Sequence, residues 1–219
     1  MPFTNDVDIL NYALTLEHLE AAMYRQAIAS GKLSGQALEY ARVFGAEESA
    51  HVDAVAATIV KLGGTPVKAR ASYNFPAFDT QANILSFLSL LEDTGVGAYL
   101  GQVGSIKSGE VLGAAASIFA VEALHTAAIR TILGRDANPN GAFEKPLTDA
   151  QVLAAAGPLL GPEAGAAPAP APAPVTAPAA SAPAMLPRTG GVDLGTVAVI
   201  GTGVVALGEV IRRKVSSKS

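Results

Sequence analysis

Two copies of Glu-x-x-His, each inside a long helical pattern, constrain this chain more than any other feature. They span residues 48–51 and 122–125. Residues three apart on a helix lie one turn apart on the same face, so each motif presents a carboxylate beside an imidazole. The chain has three histidines, and two of them belong to these motifs. We interpret the motifs as two halves of one metal site.

Apolar periodicity predicts four long helices and one short one. The long helices are expected at 6–30, 35–62, 80–106 and 109–133, and the short one at 148–156. The short loops inside each half predict antiparallel neighbours. The stretch 63–80 is rich in glycine and proline, and its length suits a connection between opposite ends of a bundle. The sequence therefore predicts an all-α four-helix bundle of two antiparallel pairs with a long crossover.

The two predicted helix pairs repeat one pattern. The first helix of each pair carries a glutamate on its apolar stripe and a tyrosine seven residues later, and the second helix carries Glu-x-x-His. In chain order these residues are Glu17, Tyr24, Glu48 and His51, then Glu92, Tyr99, Glu122 and His125. The chain is thus a weak internal repeat with its chemically active residues in register.

Four glutamates on inward stripes need a counter-charge. Each isolated carboxylate in a core would cost several kcal/mol even after relaxation, and these stripes carry no lysine or arginine. A pair of divalent or trivalent metal ions would neutralise them. Carboxylate and imidazole donors suit iron or manganese. Zinc is disfavoured because the chain has no cysteine and the ligand set is large.

Several polar neighbours of these ligands have open interpretations. Glu20 lies one turn after the first lone glutamate. It either adds a carboxylate to the site, or faces solvent, or supports the ligands without binding the metal. Tyr24 and Tyr99 would be catalytic residues if they hydrogen-bond ligands or carry an oxidising equivalent, and core tyrosines otherwise. Glu47 precedes a ligand, so it points about 100° away on the helix and is expected to face outward.

The order Glu, Glu-x-x-His, Glu, Glu-x-x-His on four helices resembles the ferritin-like di-iron carboxylate proteins. Residues 14–21 and 91–96 look like the helix 1 and helix 3 signatures of a bacterial ferritin-like group that includes desiccation-related proteins. The resemblance covers residues 6–156 and implies two iron ions. It implies bridging by Glu48 and Glu122, and terminal ligation by Glu17 with His51 and by Glu92 with His125. The residues by themselves do not say which glutamates bridge.

The activity implied by this resemblance is oxidation of Fe(II), or reduction of O2 or H2O2. The alternatives are a di-manganese catalase-like enzyme and a non-enzymatic surface module for stress protection or structure. Without cysteine there is no rubredoxin-type electron-transfer site, so a peroxidase would need an external reductant. The net charge of −4 gives no indication of nucleic-acid binding. The sequence leaves a homo-oligomer open.

The C-terminal region has a different composition. The bundle domain is expected over 1–156, followed by a disordered Pro/Ala-rich linker over 157–185. Residues 186–190 read Leu-Pro-Arg-Thr-Gly, and residues 191–219 contain an apolar run, 194–211, and a basic end. The run is 18 residues long, about the length that a membrane-spanning helix needs.

This three-part arrangement resembles a sortase cell-wall sorting signal of Gram-positive bacteria. The resemblance implies cleavage between Thr189 and Gly190 and attachment of Thr189 to the cell wall. We therefore expect a protein of the cell envelope. The first residues show no signal peptide, so a cytoplasmic bundle with a membrane-attached tail is the alternative.

Overall fold

The computed structural model of the chain describes residues 3–163. Its α-helices are α1 (Asp6–Ala29), α2 (Gly35–Lys61), α3 (Gln81–Gln102), α4 (Gly109–Ile132) and α5 (Asp149–Ala156), and a 3₁₀ turn follows at Gly157–Leu159. These residues contain no β-strand, and an all-α bundle is confirmed. Residues 164–185 of the predicted linker, the motif at 186–190 and the apolar helix at 194–211 lie outside the described residues.

Local sequence signals explain where the helices begin and end. The side chains of Asn5, Thr80 and Ser108 accept hydrogen bonds from the first turns of α1, α3 and α4. Such caps satisfy backbone N–H groups that have no partner inside the helix. At the other end, Gly31 and Gly63 take left-handed φ angles of 67° and 78° after α1 and α2. Glycine adopts this conformation without strain, and it stops the helix.

The helices form two pairs, α1 with α2 and α3 with α4. The loops within the pairs are short, so the partners run antiparallel, and the pairs meet through α1–α3 and α2–α4 contacts. Among residues 3–163, one helix, α4, is long and apolar enough to cross a membrane, but a third of that stretch is buried in the protein. Since α4 also carries Glu122 and His125 into the interior, we describe it as a bundle helix.

The crossover between α2 and α3 packs against both the bundle and the chain after α5. Asn11 on α1 accepts a hydrogen bond from the Val67 amide at 2.8 Å. Tyr73 forms an isolated antiparallel bridge with Leu160, and the Asn74 amide donates to the Leu159 carbonyl at 2.8 Å. Residues 157–163, which the sequence analysis assigns to the linker, therefore pair with the crossover.

Two apolar clusters fill the bundle on either side of its middle. One joins the C-terminal half of α1 to the start of α2 and α3 and includes Tyr24 and Phe44. The other joins the start of α1 to the end of α2 and includes Tyr99 and Ile118. The glutamates and histidines of the sequence motifs lie between the two clusters along the helices, so apolar side chains separate them from both ends of the bundle.

Candidate metal centre

Four helices each contribute one fully buried glutamate to the middle of the bundle. These glutamates are Glu17, Glu48, Glu92 and Glu122, and each is 0% exposed. His51 and His125 are also buried. The helical repeat explains this placement, because each histidine follows its glutamate by three residues and projects from the same face. The structure thus brings together all six side chains that the sequence analysis assigned to metal.

Three carboxylates converge on one nitrogen of His51. The distances from its Nδ1 are 3.2 Å to Glu122 Oε1, 3.3 Å to Glu48 Oε2 and 3.4 Å to Glu17 Oε2. A single N–H can make only one well-aligned hydrogen bond. The nitrogen and the three carboxylates lie close enough together that they could bind one cation.

His125 has the same environment on the other side of the centre. Its Nδ1 lies 3.0 Å from Glu48 Oε1 and 3.3 Å from Glu92 Oε2. The rings of the two histidines are 6.4 Å apart between centroids and nearly parallel, at 27°. Each histidine therefore faces its own set of oxygens, with Glu48 turned toward both.

The donors form two overlapping groups that share Glu48 and Glu122. One group adds Glu17 and His51, the other adds Glu92 and His125, and within each group the ligand atoms lie within 4.8 Å of one another. Glu48 directs one oxygen to each histidine. This sharing is the arrangement expected of carboxylates that bridge two ions. The spacing of the residues in the sequence did not indicate which glutamates would bridge.

The buried donor atoms suit a metal pair. Glu17 Oε2, Glu92 Oε2, both oxygens of Glu122 and Nδ1 of His125 are buried and make no hydrogen bond of acceptable geometry. Within residues 3–163, only histidines form ion pairs with these glutamates. Buried polar atoms without partners are rare in native proteins, because each costs about 1–3 kcal/mol. Cations would satisfy them.

Crowding of like charges changes the proton affinity of the centre. Burial and the neighbouring Glu122 carboxylate raise the pKa of Glu48 to about 7. Burial and then Glu92 raise the pKa of Glu122 well above its ordinary value. Burial alone would lower the pKa of His51, but its contacts with the carboxylates outweigh burial and raise the pKa to about 12. Without metal, the centre retains protons that its ligands must release to bind cations.

Each tyrosine of the repeat bonds to a glutamate of the other helix pair. The Tyr24 hydroxyl donates to Glu92 Oε1, and the Tyr99 hydroxyl donates to Glu17 Oε1. Burial, followed by the charge of the contacted glutamate, raises the pKa of both tyrosines well above the ordinary value. Both phenols therefore stay protonated, and each holds one terminal carboxylate in position.

Glu20 is a fifth carboxylate within the centre. It is 4% exposed, and burial and then the charge of Glu122 raise its pKa well above normal. Opposite it lies Gly95, where an added Cβ would come within 2.9 Å of Glu20 Oε1 and 3.2 Å of Glu122 Oε2. The glycine leaves the space that this carboxylate group occupies, so Glu20 faces the ligands and not solvent.

Glu47 is exposed, as the sequence analysis predicted, but its carboxyl group also contacts the centre. The His125 Nε2–H donates to Glu47 Oε2 at 2.8 Å, while the Glu47 side chain remains 46% exposed. The Glu47 side chain extends from α2 toward α4 at the edge of the site. Spacing along one helix could not show this contact, because it depends on how closely α2 and α4 pack. Phe44 was also missed, and its ring stacks on His125 with centroids 4.0 Å apart.

Comparison with models of protein families places the bundle in a known family. A family model described as a ferritin-like domain matches residues 5–135, which include α1 to α4 and every ligand named above. A search of curated proteins found no match to the chain. The other predicted site residues, Thr189 and Gly190 of the sorting motif, lie outside the described residues.

Proposed function

The chain belongs to the ferritin-like domain family, and we propose that its bundle binds a pair of iron ions and acts as an oxidoreductase on Fe(II), O2 or H2O2. Glu48 and Glu122 are the bridging ligands in this proposal, and Glu17 with His51 and Glu92 with His125 are the terminal ones. When bound, an iron pair supplies one-electron valence changes. Iron is our choice over manganese within a donor set that suits both.

The observation that supports this proposal is the sharing of two glutamates between two donor groups. One octahedral ion could take six donors, but they would surround a single point, whereas here each histidine has its own group of donors. Two separate sites would not share ligands. The balance of charge also favours two ions. Four glutamates carry −4, and two divalent ions carry +4. Two divalent ions therefore neutralise the glutamates without any lysine or arginine.

Glu20 extends this charge argument to oxidised metal. Its carboxylate faces the ligands from the space left by Gly95, and it adds one negative charge when it ionises. Removal of electrons from the ions adds positive charge, which an ionised Glu20 would balance. We therefore assign Glu20 as a seventh ligand or counter-charge, whose raised pKa favours the neutral form until more positive charge is present.

The tyrosines and the apolar clusters determine how the centre treats water and protons. The hydroxyls of Tyr24 and Tyr99 each donate a hydrogen bond to one oxygen of a terminal glutamate, which leaves the other oxygen for a cation. The clusters on both sides limit water along the bundle axis. In a drier site the electrostatic interactions between ligands and ions are stronger.

Metal content tests the proposal directly. The full chain, loaded anaerobically with Fe(II) or Mn(II) and desalted, should hold about two ions per chain. Glu48→Ala and Glu122→Ala should each lose both ions, since each removes a ligand of both positions. Glu39→Ala, an exposed change on the same helix as Glu48, is the control and should retain two. Folded protein that binds no stoichiometric metal would contradict the proposal.

Activity assays then separate the chemical alternatives. Oxygen consumption with Fe(II), or peroxide loss with an added reductant, supports the di-iron oxidoreductase. Oxygen release from peroxide by manganese-loaded protein supports the catalase-like alternative. Two bound ions without redox turnover would favour a structural or stress-protection module that the metal stabilises.

We further propose that the chain is held at the cell envelope. The support is in the sequence: Leu-Pro-Arg-Thr-Gly at 186–190, the apolar run 194–211 and the basic residues after it. Incubation of the full chain with a sortase and a glycine-based nucleophile should break the Thr189–Gly190 bond, release the segment that begins at Gly190 and join the Thr189 carbonyl to the amine of the nucleophile, and Thr189→Ala should abolish this product. No cleavage of the unaltered chain would leave membrane attachment through 194–211 as the alternative.

A further inference from the structure

We propose that Glu47 is a positioning residue for His125 and that it makes the two metal positions unequal, so that the ion beside His125 binds first and more tightly. This inference rests on the proposed dinuclear function, since it concerns how the two positions differ. It assigns a role to a half-exposed carboxylate that belongs to neither donor group.

The first observation is the direction of the hydrogen bond. His125 Nε2 donates to Glu47 Oε2 at 2.8 Å, and the opposite nitrogen, Nδ1, faces Glu48 and Glu92. With the proton kept on Nε2, the lone pair of Nδ1 is available to a cation. A carboxylate on the outer nitrogen of a metal-binding histidine fixes the tautomer and makes the ligand more basic.

The ring of His125 is also held by stacking. The Phe44 ring lies 4.0 Å from it between centroids at an angle of 25°, and the His125 side chain is 2% exposed. The hydrogen bond fixes rotation within the ring plane, and the stack fixes the plane itself. His125 therefore loses little further freedom when it binds an ion.

His51 lacks both restraints. In the described part of the chain its polar contacts all involve Nδ1, and its side chain is 10% exposed. By the internal repeat, Val121 occupies the place equivalent to Glu47, and Ile118 the place equivalent to Phe44. Neither can accept a hydrogen bond through its side chain. The tautomer and the ring orientation of His51 are therefore set only by the ligands and by the metal itself.

Partners that orient metal ligands change metal affinity by about 10- to 100-fold when they are removed. We expect a difference of that order between the two positions. Anaerobic titration of the metal-free full chain with Mn(II), followed by calorimetry, should resolve two binding constants that differ at least tenfold. Electron paramagnetic resonance should show isolated Mn(II) at one equivalent and a coupled pair at two.

Variants assign the constants to positions. Glu47→Ala should weaken the tighter constant by about 10- to 100-fold and bring the two constants together, whereas Glu39→Ala should change neither. His125→Ala should remove the tighter step, and His51→Ala should leave it. Glu47→Gln keeps an acceptor oxygen, so its loss should be smaller than that of Glu47→Ala. An equal loss would assign the effect to charge alone and overturn the positioning role.

Two other results would also overturn the inference. One is a pair of equal constants in the unaltered chain, and the other is a Glu47→Ala variant with both constants unchanged. Either would leave the dinuclear site intact, since two ions would still bind. Absence of metal binding in every protein would instead contradict the proposed function, so the two failures can be told apart.

Discussion

The α1–α2 pair and the α3–α4 pair supply matching ligands, yet the surroundings of those ligands differ. Each pair gives a lone glutamate, a tyrosine seven residues later and Glu-x-x-His. Around this common set, the first pair adds carboxylates at 20 and 47, where the second has Gly95 and Val121. The extra groups all come from one side, so the repeat preserves the ligands and varies the residues that tune them.

The two halves of the bundle therefore complement each other. Gly95 leaves room for the Glu20 carboxylate, and Glu47 of the first pair orients His125 of the second. A substitution in one half is therefore expected to affect the ligands of the other half. Experiments that compare matched positions in the two halves should expose this relation.

Removal of the proposed metal pair should lower stability more than any substitution described below, because the pair takes ligands from both halves. At free metal about 1,000-fold above Kd, binding adds about 4 kcal/mol to stability, which corresponds to roughly 10 °C in Tm for a domain of this size. Thermal unfolding of metal-loaded and chelator-treated protein measures this shift. An unchanged Tm after verified metal removal would contradict a site whose charges need cations.

The metal-free protein should also lose stability as pH rises. The folded pKa of Glu48 is about 7 against 4.5 for the free side chain, and that of His51 is about 12 against 6.5. The folded state thus binds more protons than the unfolded state, and stability falls from about pH 5 upward, through the carboxyl range and then the imidazole range. Tm values at pH 5, 7 and 9 should decrease in that order, and the increase in Tm caused by metal should grow with pH.

Glu20→Gln tests the effect of the carboxylate that the first helix pair carries where the second has Gly95. Without metal at pH 8, the variant should be more stable than the unaltered chain by roughly 2 kcal/mol, because the raised pKa of the Glu20 carboxyl makes its burial beside the other carboxylates costly at this pH, whereas an amide does not titrate. It should still bind two ions, since six ligands remain. Denaturant unfolding and metal analysis measure the two quantities. A less stable metal-free variant would contradict our assignment of Glu20 to the charged cluster.

Substitution of the two tyrosines tests a feature that the two helix pairs share, the hydrogen bond from a tyrosine to a buried glutamate. Tyr24→Phe and Tyr99→Phe each remove a hydroxyl that donates to a buried glutamate. Each should cost about 1–2 kcal/mol in metal-loaded protein, measured by denaturant unfolding. Similar values would extend the symmetry of the ligands to their tyrosines, and a large difference would show that one terminal glutamate depends on its tyrosine more than the other.

The smallest effect is expected for an ion pair found in the second half. Arg130 on α4 contacts Asp93 on α3 at 2.7 Å, and the Asp93 side chain is 36% exposed. Partly exposed pairs contribute at most about 1 kcal/mol, so Asp93→Asn should lower stability by less than that and leave metal content unchanged. A loss of metal from this variant would show that the pair supports the neighbouring Glu92.

The sequence predicted the helices, the bundle and the side chains that meet at its centre, because all of these follow from the helical repeat along single helices. It did not predict the contact of Glu47 with His125 or the space at Gly95, since both depend on the distance between helices. It also assigned residues 157–163 to a linker by composition, whereas Leu160 pairs with Tyr73 far earlier in the chain. The pattern of residues within one helix predicted that helix and its buried face, but it could not predict contacts between elements that are distant in the chain.

The crossed tyrosine bonds bear on the order of events during synthesis. Glu17 receives its hydrogen bond from Tyr99, and Glu92 receives one from Tyr24. When only α1 and α2 have left the ribosome, Glu122 does not yet exist and Glu17 has no phenol to hold it. The first hairpin offers too few ordered donors to hold two ions. In the proposed dinuclear site, the full donor set therefore exists only in the finished bundle.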